Sequence, residues 1–179
     1  MLLPMEQVIL VNEQDHPIGL MEKMEVHEKA LLHRAFSVFV FNQQGELLLQ
    51  QRAFSKYHSA GLWTNTCCSH PRPDEKTADA ASRRLLEEMG FTTPLEKIFD
   101  FIYTANFDNG LTEHEFDHVF IGFYEGAIQP NPTEVSSFIY SSLALIDTQL
   151  MATPHIYTEW FKIAYPKVKA WWELQKTAC

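Results

Sequence analysis

A thiol, an imidazole and several carboxylates lie close together near the middle of the sequence. The segment T-N-T-C-C-S-H-P at Thr64 to Pro71 carries Cys68 and His70, and the acidic segment Thr77 to Met89 follows it. A thiol with a pKa of about 8.5 exchanges protons, a neutral histidine binds metals, and paired carboxylates hold hard cations or arginines. These residue types indicate reaction chemistry, although adjacent cysteines also occur as plain buried thiols.

Two further carboxylates occupy alternate positions of one predicted strand. Glu113 and Glu115 are two residues apart, which turns both side chains to one face and His114 to the other. Such a pair suits a divalent cation or acid–base chemistry. It equally suits a charged strand edge that faces solvent, and the spacing alone does not separate these two interpretations.

Three histidines are candidate metal ligands beside these glutamates. His70 lies in a proline-bounded loop, two residues after Cys68. His27 and His33 are six residues apart, which would place them on different sides of a straight helix, so they can share a metal only if the chain bends between them. Each alone could be structural. Three histidines and two glutamates would suit zinc, manganese or magnesium without selecting among them.

Basic residues are scarce, which makes each candidate anion-binding side chain informative. Fourteen lysines and arginines against 23 acidic residues give a net charge of −9, which disfavours nucleic acid as a partner. An anionic substrate must therefore meet local cations or a bound metal, and the candidate cations are Lys23, Arg52, Lys56 and Arg84. Arg84 precedes Glu87 and Glu88, a pattern that favours phosphate and a divalent cation held side by side.

Composition bounds the kind of protein. At 179 residues the chain is long enough for one domain with a full core, and we expect a single domain over residues 1–179. The start lacks a basic region, no apolar run approaches the roughly 18 residues that span a bilayer, and three cysteines make no disulfide framework. We therefore expect a cytoplasmic protein without a membrane partner, and we favour a monomer.

Periodicity predicts the elements that must position these residues. A buried hairpin is predicted from Ala35 to Phe41 and Leu47 to Gln51. A second hairpin is predicted from Leu95 to Phe107 and Leu111 to Tyr124. Thr77 to Met89 reads as a helix that is capped by Asp74 or Thr77, ends at Gly90, and has an apolar side of Ala78, Ala81, Leu85 and Met89. A longer helix is predicted from about His155 to Gln175. This order indicates an α+β fold, a mixed sheet sandwiched between helices.

Trp160 belongs to the predicted terminal helix. Its spacing from Ile163, Ala164 and Val168 favours a core position, and the alternative is an electron-rich wall for a cationic intermediate.

The acidic helix and its approach resemble the Nudix box, a glycine and glutamate followed by an Arg-Glu and a Glu-Glu pair. Its positions fall on Ser69, Glu75, Arg83, Arg84, Leu85, Glu87, Glu88, Gly90 and Phe91. Ser69 replaces the first glycine. Arg84 replaces a carboxylate that helps to hold the catalytic metals in the hydrolases, and this departure argues against diphosphate hydrolysis.

The sequence also resembles the type I isopentenyl-diphosphate isomerases. The resemblance is carried by the two departures from the Nudix box, by the cysteine motif and Tyr103, and by L-L-H-R-A-F-S-V-F at Leu31 to Phe39 and E-H-E at Glu113 to Glu115. The resemblance runs from about Gln7 to Trp160. It implies interconversion of isopentenyl and dimethylallyl diphosphate by protonation of the double bond and removal of another proton, a step of isoprenoid biosynthesis.

The resemblance also implies a role for each candidate. Cys68 and Glu115, with Tyr103, would be catalytic. One metal would be bound by His27, His33, His70, Glu113 and Glu115, and Glu88 would help to hold a Mg²⁺ that bridges to the diphosphate. Substrate binding would fall to Lys23, Arg52, Lys56, Arg84 and Trp160. In the bacterial members the first two histidines are seven residues apart, one more than here, so His27 is the ligand most dependent on the local bend.

Two other functions fit parts of the pattern. Glu75, Glu87 and Glu88 suit an ordinary Nudix hydrolase of a nucleoside or other diphosphate, which would release phosphate or a nucleoside monophosphate. A binding module with a structural metal would use the histidines and glutamates, and would leave Cys68 and the cations without a role.

Overall fold

Every strand found in residues 6–177, the part of the chain that the computed structural model describes, belongs to one mixed sheet. The strands are β1 (Gln7–Val11), β2 (Pro17–Glu22), β3 (His33–Phe41), β4 (Leu47–Arg52), β5 (Trp63–Thr64), β6 (Cys67–Ser69), β7 (Glu96–Asn106), β8 (Thr112–Phe123) and β9 (Val135–Ser141). The helices are α1 (Lys23–Glu28), α2 (Thr77–Met89), α3 (Leu143–Ala152) and α4 (Glu159–Thr177), and a 3-10 turn spans Pro154–Ile156.

Strand β3 holds the site together, because it is paired along both of its edges. It runs parallel to β8, with His33 opposite Glu115, and antiparallel to β6, with Ser37 opposite Cys68. Residues 33, 68 and 115 are far apart in the sequence and are brought to adjacent strands by this pairing. The parallel β3–β8 contact is the long-range step that the local sequence does not encode.

The first buried hairpin is only partly as predicted. Strands β3 and β4 are antiparallel, but their ladder contains only the pair Phe41 and Leu47, next to the turn. Beyond it they diverge, β3 to β6 and β8, and β4 to β5 and β9. The predicted hairpin of β7 and β8 is confirmed, and its ladder runs from Glu96 opposite Ile121 to Asn106 opposite Thr112.

Helices cover both faces of the sheet, as the α+β prediction requires. The alternation of β3 sends Phe36, Val38 and Val40 towards α2, and Phe39 and Phe41 towards the other face. On that other face α3 and α4 pack through a mostly aromatic and aliphatic set, Ile146, Phe161, Tyr165, Val168 and Trp172. Within residues 6–177, none of the helices combines the length and apolar character that a bilayer-spanning segment requires.

Two details of the predicted helices are wrong. In α2 the buried side includes Ala80 and leaves Ala78 exposed, and the cap position is Lys76, which makes no side-chain cap hydrogen bond. The predicted stop is confirmed, since Gly90 has a φ of 77°, in the left-handed region that glycine adopts without strain. The terminal helix begins at Glu159 rather than near His155, because the 3-10 turn occupies the start of the predicted range.

Candidate active site

The five side chains proposed as ligands of one metal converge in a buried cluster. One possible ligand atom from each lies within 4.8 Å of all the others: His27, His33, His70, Glu113 and Glu115. His27 Nε2 is 3.1 Å from Glu113 Oε2, and His70 Nε2 is 2.9 Å from Glu115 Oε1. Imidazole nitrogens and carboxylate oxygens gathered away from water are a donor set typical of divalent metal sites.

A reversal of the chain allows His27 and His33 to share this cluster. His27 lies in the last turn of α1, and the Leu31 N–H donates to the Val26 carbonyl as the chain turns back. Ala30 has a φ of 54°, an unusual value for alanine that completes the reversal within a few residues. His33 then opens β3, so the spacing of six residues is compatible with convergence.

The histidines of the cluster offer the nitrogens that a metal needs. A carbonyl can only accept, so in neutral His33 the Nδ1–H donates to the Leu31 carbonyl at 2.9 Å and Nε2 keeps a lone pair that faces the cluster. Burial disfavours a charge on His33, but its contacts with Glu115 outweigh this effect and raise its pKa. Burial and the neighbouring His33 lower the pKa of His70, which keeps this imidazole neutral, the form that binds a metal. The imidazole nitrogens and carboxylate oxygens of the cluster fit a divalent cation.

The two adjacent cysteines face opposite sides of the sheet. Cys67 is fully buried against α2, whereas Cys68 lines the cavity that also contains Tyr103 and Trp160. Burial raises the pKa of the Cys68 thiol well above its usual value, although Arg52 opposes this shift. The thiol therefore keeps its proton at neutral pH and is available as a proton donor.

Glu115 has the opposite protonation state in the same cavity. Burial alone would raise the pKa of Glu115. Hydrogen bonds between its carboxylate and neighbouring side chains, first of all His33, hold the pKa at about 2 instead. Tyr103 donates its hydroxyl to Glu115 Oε2 at 2.6 Å, and burial raises the pKa of this phenol. A protonated thiol and an ionised carboxylate thus line one cavity. Their different surroundings give the two groups opposite protonation states, one suited to an acid and one to a base.

Four cations line the same cavity, Lys23, Arg52, Lys56 and Arg84. Each one contacts a protein acceptor. Lys23 pairs with Glu6 at 3.2 Å, Lys56 pairs with Glu134, Arg84 pairs with Glu88 at 2.6 Å, and Arg52 donates to the His58 carbonyl at 3.3 Å. The Nε atoms of Arg52 and Arg84 are buried without a hydrogen-bond partner among residues 6–177. Four of the 14 lysines and arginines of this acidic protein thus line one cavity.

Glu88 is the buried carboxylate of α2 on this side of the molecule. Only 5% of its surface is exposed, and it accepts hydrogen bonds from Arg84 and from Gln50 Nε2 at 2.9 Å. The paired strand β4 contributes Gln50, which fixes the carboxylate at the edge of the cavity. The arrangement leaves a carboxylate oxygen next to an arginine, the combination that accompanies metal-bound phosphate.

Trp160 has features of both roles considered from the sequence. It is buried, with 4% exposure, and packs with Tyr103 and Ala105, yet its ring also lines the cavity. The Arg52 guanidinium lies 5.2 Å from the centre of the indole. An aromatic face that already contacts one cation can also face a positive charge that develops on a substrate.

Sequence reasoning missed Tyr57, His58 and Glu134 among the residues that line the cavity, and it missed Gln50, which donates a hydrogen bond to Glu88. His58 Nε2 lies 3.4 Å from Glu113 Oε1, and burial lowers the pKa of His58 to about 3. These residues lie on irregular segments or within an apolar strand, where periodicity gives no signal. The position of His58 between Lys56 and the cysteine motif is the one clue that could have drawn attention to it.

The fold and the acidic helix α2 together define the class of protein to which the chain belongs. The NUDIX domain model matches residues 31–161, so the chain belongs to the NUDIX family. The crystal structure of DR0079 from Deinococcus radiodurans superposes with a TM-score of 0.69 at 19% identity, over 83% of this chain and 90% of that one. A NUDIX hydrolase from Nitrosomonas europaea gives 0.58 at 19% identity, over 76% and 87%. At these identities the likeness concerns the fold alone.

Sequence similarity places the chain more narrowly. It is 49% identical over 175 residues to the isopentenyl-diphosphate Delta-isomerase of Pectobacterium atrosepticum, covering 98% of each chain. It is 50% identical over 156 residues to the enzyme of that name from Serratia proteamaculans, covering 87% of each. Within the NUDIX family the chain therefore belongs to the isopentenyl-diphosphate Delta-isomerases.

Proposed function

We propose that this protein interconverts isopentenyl diphosphate and dimethylallyl diphosphate by transferring protons between the substrate and two side chains, Cys68 and Glu115. The observation that carries the proposal is that the Cys68 thiol and the Glu115 carboxylate line one cavity, together with four cations and beside the buried cluster of histidines and glutamates. Membership of the isomerase family supports the same reaction.

In the forward direction the Cys68 thiol donates its proton to the terminal carbon of the double bond. The electron pair of that bond forms the new C–H bond, and positive charge develops on the neighbouring tertiary carbon. Glu115 then removes a proton from the carbon on the other side, and the electrons of that C–H bond form the new double bond. The step leaves a Cys68 thiolate and a protonated Glu115, and both must exchange protons before the next turnover.

The diphosphate is bound in this proposal by Lys23, Arg52, Lys56 and Arg84. The position of all four side chains around the cavity that contains Cys68 and Glu115 supports this role, because a diphosphate needs local cations in an acidic protein. Glu88, beside Arg84, would help to hold a Mg²⁺ that also contacts the diphosphate. This ion would offset the repulsion between the anionic substrate and a protein of net charge −9.

The buried cluster would hold a second divalent ion, Mn²⁺, Zn²⁺ or Mg²⁺, bound by His27, His33, His70, Glu113 and Glu115. Such an ion would neutralise the two buried carboxylates and fix their orientation. Glu115 keeps its Oε2 atom in contact with the Tyr103 hydroxyl, which orients the base towards the cavity.

Removal of divalent metals should abolish most of the turnover. The carboxylates of the cluster would then repel each other, and the diphosphate would lose its magnesium contact. Protein treated with a chelator and passed through a desalting column should regain activity with Mg²⁺ together with Mn²⁺ or Zn²⁺. Undiminished turnover of protein shown by elemental analysis to be metal-free would contradict the metal's role.

Trp160 should contribute through the face of its ring. A cation–π contact in a desolvated site is worth about 2 kcal/mol, or roughly 30-fold in rate. We expect Trp160→Leu to lower kcat by about that factor with little change in KM, and Trp160→Phe to lower it less. Steady-state kinetics of both variants tests this, and an equal loss in the two would show that the ring only fills space.

Hydrolysis of a diphosphate, the reaction of other NUDIX proteins, has less support. Arg83 binds Glu75 at 2.7 Å and Glu87 at 3.2 Å, and Arg84 binds Glu87 and Glu88. Glu75 and Glu87 are thus paired with Arg83, and Arg84 stands where the Nudix box has a further carboxylate, so fewer carboxylates are left to hold the metals of a hydrolase. An assay for inorganic phosphate, run beside the assay for dimethylallyl diphosphate, separates the two reactions, and phosphate release as the main activity would overturn the proposal.

A further inference from the structure

His58 contacts the proposed metal cluster without belonging to it. It lies on the irregular segment between β4 and β5, and only 7% of its side chain is exposed. Its Nε2 atom is 3.4 Å from Glu113 Oε1, whereas Glu113 Oε2 is 3.1 Å from His27 Nε2. The two oxygens of Glu113 therefore face different histidines, one inside the cluster and one outside it.

Packing on several sides restrains the His58 ring. It stacks on Phe107 with 5.0 Å between ring centroids, and it meets Trp160 and Tyr57 edge to face at 5.8 and 4.5 Å. Its backbone carbonyl accepts a hydrogen bond from Arg52. These ring contacts fix the plane of the imidazole, and in the observed orientation its Nε2 atom faces Glu113 Oε1.

We propose that His58 is a positioning residue for the metal centre, donating its Nε2–H to Glu113 Oε1 so that Oε2 stays directed into the cluster. The separation of 3.4 Å is long for a hydrogen bond, and because a carboxylate only accepts, the proposed bond requires the tautomer of His58 that carries its proton on Nε2. In that tautomer Nδ1 can accept from the Ser59 hydroxyl, which is also 3.4 Å away. Partners of this kind fix the orientation of a metal ligand, and their loss costs about 10- to 100-fold in metal affinity. The proposal rests on the metal-binding role of the cluster described above.

The contact between His58 and Trp160 implies that a substitution at His58 has a second effect. The same ring that orients Glu113 meets the indole that lines the substrate cavity. A change at His58 therefore acts on metal binding through Glu113 and on substrate turnover through Trp160, and only the first of these depends on a hydrogen-bond donor.

Two substitutions separate the hydrogen bond from the packing. His58→Met keeps apolar volume without a donor, and His58→Gln places an N–H near the position of Nε2. His16→Met is the matched control, because His16 is an exposed histidine in the turn between β1 and β2. His58→Phe replaces His58→Met in the comparison if the methionine variant does not fold, as judged by its thermal unfolding curve.

The probe is Mn²⁺ alone, added to metal-depleted full-length protein, with the free ion measured by electron paramagnetic resonance. We expect the apparent Kd of the donorless variant to rise by about 10- to 100-fold, and His58→Gln and His16→Met to stay close to the parent value. Unchanged affinity in the donorless variant, or equal weakening in His58→Gln, would overturn the role of His58. Failure of the parent protein to bind Mn²⁺ would instead contradict the metal role of the cluster, and this inference with it.

Discussion

Cys68→Ala should remove nearly all isomerase activity while the protein remains folded. The alanine cannot donate a proton, and a positioned acid contributes about 10²- to 10⁴-fold to a rate. The Cys68 side chain packs beside Tyr103 and Trp160, whereas Cys67 packs against the apolar side of α2, so removal of the Cys68 thiol leaves the packing against that helix intact. We expect kcat to fall by roughly 10²- to 10⁴-fold with the melting temperature nearly unchanged. Both quantities come from steady-state kinetics and a thermal unfolding curve.

Cys67→Ala is the matched control, because it changes the same atom one residue away. Cys67 packs against α2 and is fully buried, so its loss should lower the free energy of unfolding by about 1 kcal/mol and change kcat only a few-fold. Because side chains alternate along β6, we expect the Cys68 thiol to act in catalysis and the Cys67 thiol to contribute to stability. Equal loss of activity in the two variants would contradict this assignment.

Glu115→Gln should have the second large effect. An amide of the same shape cannot take up the proton that the ionised carboxylate accepts during the proposed reaction. The substitution also weakens the contact with the Tyr103 hydroxyl. We expect kcat to fall by roughly 10²- to 10⁴-fold, measured at saturating substrate and metal.

Glu113→Gln distinguishes metal binding from proton transfer. Glu113 contacts His27 and His58 and has no contact of this kind with Tyr103 in the described residues, so its main contribution is to the cluster. We expect excess metal to restore much of the activity of Glu113→Gln and little of that of Glu115→Gln. Similar restoration of both variants would show that Glu115 acts only as a ligand.

The alternation of strands and the period of helices predicted a large part of the site. Glu113 and Glu115 share one face of β8, and Arg84 and Glu88 face each other along α2, because these relations depend only on regular geometry. The resemblance to a known family added the roles of the individual residues. Those roles, and the identity of the bound metals, remain predictions for the experiments described above.

What the sequence could not predict depends on long-range pairing and irregular backbone. The predicted β3–β4 hairpin failed beyond its first pair because β6, from a distant part of the sequence, pairs with the edge of β3 that faces β4. Thr66, just before β6, lies between the two strands, where its hydroxyl accepts from the Val40 N–H and donates to the Leu48 carbonyl. Convergence of His27 with His33 depends on a reversal at Ala30, where alanine adopts a left-handed backbone. His58 reaches Glu113 from a segment without periodicity. Local patterns encode none of these.

Proton NMR of the protein with isopentenyl diphosphate and Mg²⁺ in deuterated water tests the central claim most directly. The proposed mechanism predicts dimethylallyl diphosphate with deuterium in its methyl groups, because the Cys68 thiol exchanges its proton with solvent before donating it. The Cys68→Ala variant should give no product on the same time scale. Unchanged substrate with the parent protein, or inorganic phosphate in place of the allylic isomer, would contradict the proposed function.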